Sequence, residues 1–76
     1  MFGIMKAGKG FCHNTHFETI EEARSAFDSE IAETTKAYVA TKHTIAEIGP
    51  FNKIIKQVEF RTRSGKTYNI VRLYTL

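Results

Sequence analysis

One apolar stripe frames what this chain can fold into. Ala23, Phe27, Ile31, Thr34 and Tyr38 recur at spacings of four, four, three and four. That period belongs to one face of an α-helix, with Glu30, Glu33 and Lys36 mostly elsewhere around the axis. Thr19-Ile20-Glu21-Glu22 reads as a capping box: the Thr19 hydroxyl accepts from the Glu22 amide while the Glu22 carboxylate reaches back. Glu21 and Glu22 suit the positive end of the helix dipole, and Lys36 and Lys42 lie toward the negative end. The pattern predicts a helix from residue 20 to about 41. The same face continues through Thr41, Ile45 and Ile48 to a stop at Gly49-Pro50. That longer helix would run ~43 Å, more than the width of so small a domain. The preferred reading is a break at Lys42-His43 and a short turn over Thr44-Ile45-Ala46-Glu47. An unbroken helix would need a second copy to cover its far end, which is the basis for expecting a homodimer.

The C-terminal third reads as a β-hairpin turning at Ser64-Gly65. Ile54, Val58 and Phe60 then share a face with Val71 and Leu73. Val58 falls opposite Val71, Lys56 opposite Leu73, Gln57 opposite Arg72, and Arg61 opposite Tyr68. The other face carries Ile55, Gln57, Glu59, Arg61, Tyr68, Ile70, Arg72 and Tyr74.

Residues 1–18 read as a second hairpin, with Phe2 to Lys6 and Phe11 to Glu18 flanking the bend Gly8-Lys9-Gly10. In its second strand Phe11, His13, Thr15 and Phe17 share one face, and Cys12, Asn14, His16 and Glu18 the other. The sum is a single α+β domain over residues 1–76: ββαββ, an antiparallel sheet with one long helix on one face. The expected core is Ile4, Phe11, Phe17, Ala23, Phe27, Ile31, Tyr38, Val58, Phe60, Val71 and Leu73. Length, the ββαβ order and Thr19-Ile20-Glu21 at the helix start resemble a ubiquitin-type β-grasp domain, the alternative topology. The sequence ends in Tyr74-Thr75-Leu76 instead of the Gly-Gly that conjugation requires, so conjugation is not expected.

A chain of 76 residues hides only ~60% of the surface its unfolded form exposes, and so short a chain often relies on a disulfide, a metal or a partner. Cys12 is the single cysteine, which rules out an intrachain disulfide and suits a reducing, cytoplasmic compartment. Apolar residues at 42%, nine of all residues being aromatic, argue against disorder. Apolar residues come in short runs, so neither a membrane span nor a signal peptide is expected.

No familiar chemistry is complete. Gly3-Ile4-Met5-Lys6-Ala7-Gly8-Lys9 matches most of a phosphate-binding loop, but Gly10 stands where the magnesium-binding hydroxyl belongs, and a strand follows instead of a helix. Cys12, His13 and His16 lie close in sequence, with His43 a conceivable fourth zinc ligand. On a strand, however, His13 points away from the other two, so neither a metal nor any other cofactor is expected. Thiol or acid–base catalysis would need a cleft that one helix on one sheet does not offer.

The charge pattern is more telling. Residues 20–50 hold three cations against six anions, net −3, whereas residues 51–76 hold six cations against Glu59, net +5. The acidic helix, through Glu21, Asp28, Glu30 and Glu33, offers a basic partner a nucleic-acid-like surface. The hairpin is expected to offer a free strand edge, with Arg61, Arg63, Lys66, Tyr68, Arg72 and Tyr74 as contact residues. These features suggest a non-enzymatic regulator or inhibitor that occludes a surface on a larger protein. Many small proteins of phages and mobile elements have this build. The alternative is RNA or single-stranded DNA binding, since the same cations reach phosphates and the same rings stack on bases.

Overall fold

In the computed structural model, which describes residues 1–8, 10–45, 54–62, 64 and 68–76, the chain forms one five-stranded antiparallel sheet and one helix. The elements are β1 (Phe2–Gly8), β2 (Phe11–Phe17), α1 (Ile20–Thr35), β3 (Val39–Ile45), β4 (Ile54–Arg61) and β5 (Tyr68–Thr75). Their order across the sheet is β2-β1-β5-β4-β3. The class is α+β, as the periodicities indicate. The central β1–β5 pair is antiparallel, whereas a β-grasp sheet sets its first and last strands parallel, so that alternative is not adopted.

The helix begins where the capping box places it. Thr19 is extended (φ −114°, ψ 152°), and its Oγ1 accepts from the Glu22 N–H at 3.2 Å. The reciprocal contact differs from the expected one: the Thr19 hydroxyl donates to Glu22 Oε1 at 3.0 Å. Thr19→Ala is expected to lower stability by about 1 kcal/mol, because an amide of the first turn loses its acceptor; an unchanged urea midpoint would refute that role.

The helix ends six residues before the predicted limit of 41, at Thr35, and residues 39–45 form a strand instead of helix or turn. Thr34 and Thr35 turn their hydroxyls back onto the carbonyls of Glu30 and Ala32, and the Ala37 and Tyr38 amides both close on the Thr34 carbonyl. Beyond them Val39, Thr41, Thr44 and Ile45 are β-branched and favour a pleated surface. Length agrees with this stop. The strands at the two edges are separated by ~19 Å, and a 16-residue helix spans ~24 Å, enough to carry the chain from β2 to β3. Ile45 therefore belongs to a strand, and Ile48 lies outside the described residues, which removes the expected basis for a dimer along the helix.

The C-terminal hairpin keeps the predicted register: Val58↔Val71, Lys56↔Leu73, Gln57↔Arg72 and Arg61↔Tyr68. A bulge between Ile54 and Lys56 exchanges two neighbours, placing Ile55 in the core at 5% exposure and Ile54 opposite Tyr74 on the far face. The core joins Ile4, Ile55, Val58, Phe60, Val71 and Leu73 to Ala23 and Phe27 of the helix. Phe17, Ile31 and Tyr38 pack around it, half-buried. Phe11, expected inside, is 37% exposed because it lies on the outermost strand.

Candidate interaction surfaces

The sheet has one covered face and one open one. Alternation from the buried residues places Gly3, Met5 and Ala7 of β1 on the open face. With them lie Ile70, Arg72 and Tyr74 of β5, and Ile54, Gln57, Glu59 and Arg61 of β4. Met5, Ala7, Ile54 and Ile70 are half-buried there, with no described element packed over them.

Of the six predicted hairpin contact residues, Arg63 and Lys66 and the side chain of Tyr68 lie outside the described residues. Arg72 and Tyr74 are engaged within the sheet. Arg72 Nε donates to Gln57 Oε1 at 2.6 Å, across the pair the sequence register anticipated. The Tyr74 ring lies over Gly3, where any side chain would meet it, and its hydroxyl donates to Asn14 Oδ1 at 2.8 Å. A glycine facing an aromatic on the next strand lets the ring lie flat across the sheet. Arg61 is exposed at the end of β4 and carries an interaction of its own. These residues form a braced, mixed apolar and basic surface more than a row of free cations.

The hairpin does not offer the expected free edge. β5 is paired on both sides, by β1 and β4, and β4 by β5 and β3, so the edges are β2 and β3. A turn motif reveals which two strands meet, but not what pairs on their outer sides.

The acidic helix face is smaller than predicted. Glu21 and Asp28 are exposed, while Glu33 is exposed but bound to Lys36 at 2.9 Å. Glu30 turns to the sheet, with its Oε2 3.0 Å from the Lys6 ammonium of β1 in an ion pair. Its position explains this: Glu30 is three residues after Phe27 and four before Thr34, on the flank of the apolar stripe.

Cys12 and His16 share a face of β2 and are exposed, as is His13. His43 sits on β3 at the opposite edge, ~19 Å away across the strands, so it does not approach them. Among the described residues no three metal-ligating side chains converge.

One feature of the covered face escaped the sequence reading. A cavity of about 250 Å³ opens beside the end of α1, lined by Lys6, Phe11, Thr34, Ala37, Tyr38 and Asn69 among others. Asn69, 5% exposed, turns Oδ1 toward Gly8, where an added Cβ would collide with it. No hydrogen-bond donor reaches that oxygen among the described residues. The parity of Asn69 with Val71 and Leu73 was the available signal that it faces inward.

No known protein family matches the chain, and no curated protein or solved structure is significantly similar to it. Among the described residues, no helix is long and apolar enough to cross a membrane.

Proposed function

We propose that this protein is a non-enzymatic binding module that acts in the cytoplasm by covering a surface on a larger protein. The observation that carries this reading is the open sheet face. There Met5, Ala7, Ile54 and Ile70 sit half-buried around Arg72 and Tyr74, with no described layer over them. Apolar side chains interleaved with arginine, tyrosine and methionine are the composition of an interface centre. The bracing of Arg72 by Gln57 and of Tyr74 by Asn14 holds those two side chains in place before any partner arrives. Ordering them on binding therefore costs less. The exposed Glu21 and Asp28 add an acidic flank on the opposite side of the domain, suited to a basic patch.

Nucleic-acid binding through Arg61, Arg72 and Tyr74 is the competing reading. It is less favoured because Arg72 Nε and the Tyr74 hydroxyl already donate to partners within the sheet. Capture from source lysate with and without nuclease separates the two. The expected result is a protein that stays bound after nuclease and is lost from a folded Ile70→Glu variant. Recovery of nucleic acid alone, or a protein held equally by that variant, would reject the proposal.

A further inference from the structure

The two edges of the sheet are built differently. β3 is protected in the ways edge strands usually are: Lys42 projects from it, and its register breaks between Ala40 and Lys42. β2 has neither device. Phe11-Cys12-His13-Asn14-Thr15-His16-Phe17 contains no Lys, Arg, Asp, Glu, Pro or Gly, and it pairs with β1 through all seven residues without a shift. Its first six side chains are exposed, and no described strand lies on its outer side. A regular outer strand free of Lys, Arg, Asp and Glu is a template for another strand.

We infer that β2 pairs antiparallel with β2 of a second copy of this chain, joining two sheets into one of ten strands across a two-fold axis at Asn14. The sequence of the strand selects this occupant because it is complementary to itself. With full overlap, Phe11 falls opposite Phe17 of the second copy, Cys12 opposite His16, His13 opposite Thr15, and Asn14 opposite its own mate. Both ends then carry an aromatic pair, and no like charges meet. Shifting the overlap by two residues breaks both aromatic pairs. A two-fold of this kind closes the assembly at two, because each protomer contributes its one unprotected edge. The inference is independent of the open-face reading, since edge pairing leaves that face uncovered.

The register makes the test specific. Paired residues in an antiparallel ladder have Cα atoms about 4.5–5.5 Å apart, within disulfide range. Cys12 and its own mate are four residues out of register, ~14 Å apart. Mild oxidation of the His16→Cys variant is therefore expected to yield a covalent dimer through Cys12, while the wild type and a Thr15→Cys variant stay uncrosslinked. Without oxidant, light scattering of the wild type at micromolar concentration should give the dimer mass. A His13→Lys plus Thr15→Lys variant, which sets ammonium groups face to face, should dissociate at least 100-fold more readily with its circular dichroism unchanged. A monomeric wild type, a dimer indifferent to the lysines, or no crosslink in His16→Cys would each overturn the inference.

Discussion

Phe60→Ala is expected to destabilise the fold by about 3–5 kcal/mol, and Phe27→Ala by a similar amount. Phe60 is fully buried near the C-terminal end of β4, and Phe27 lies over the same cluster from the helix at 3% exposure. Removing either ring takes apolar contact out of the core shared by helix and sheet and leaves a void that neighbours on a hydrogen-bonded sheet close poorly. Small domains commonly have only about 5–15 kcal/mol to lose, and this one lies at the small end. The Phe60 variant should therefore show a urea midpoint far below wild type at the same protein concentration, or be largely unfolded in buffer. Phe60→Leu should recover much of the loss by refilling the volume. Wild-type midpoints for both alanine variants would refute the core assignment.

The second large effect is a contrast between neighbours. Ile55→Ala is expected to cost about 2–5 kcal/mol and Ile54→Ala well under half of that. Simple alternation from Val58 and Phe60 predicts the reverse, with Ile54 inside. The bulge between Ile54 and Lys56 puts two residues of β4 opposite one of β5, and it turns Ile55 toward Leu73 and the helix. Ile54 is left beside Tyr74 on the open face. Urea denaturation of the two variants reads the difference directly, and equal losses, or a larger one at Ile54, would place the bulge elsewhere.

Much of the hairpin was legible because its information is local. The register read from a turn at Ser64-Gly65, of which Gly65 lies outside the described residues, is the one the strands adopt: Gln57 meets Arg72 and Arg61 meets Tyr68. The bulge at the far end was not legible, because no residue type there demands it. The helix start was legible from Thr19 and Glu22, and its end was misread for an instructive reason. Thr41 and Ile45 fall in phase with the helical stripe by coincidence, while β-branching at the same positions favours a strand. Pairing with the outer side of β4 decides between the two.

Function was less legible still. Glu30 seemed a free anion until Lys6, twenty-four residues earlier in the chain, met it from β1. The hairpin seemed to offer an edge until β1 and β3 took both of its sides. Neither contact has a signature within a few residues of itself.

From its residues alone, then, this chain determined an α+β class, one helix with a defined start, and the pairing of its last two strands. Each depends on periodicity, capping or turn chemistry spanning a handful of positions. Tertiary structure decided the strand order, the burial of the C-terminal hairpin in mid-sheet and the exposure of β2 as a bare edge. These follow from closing the whole chain on itself, as where the Leu76 amide donates to the Met1 carbonyl at 3.0 Å. Such closures are chosen by which faces bury the most apolar surface together, a property of the assembled molecule and of no single segment.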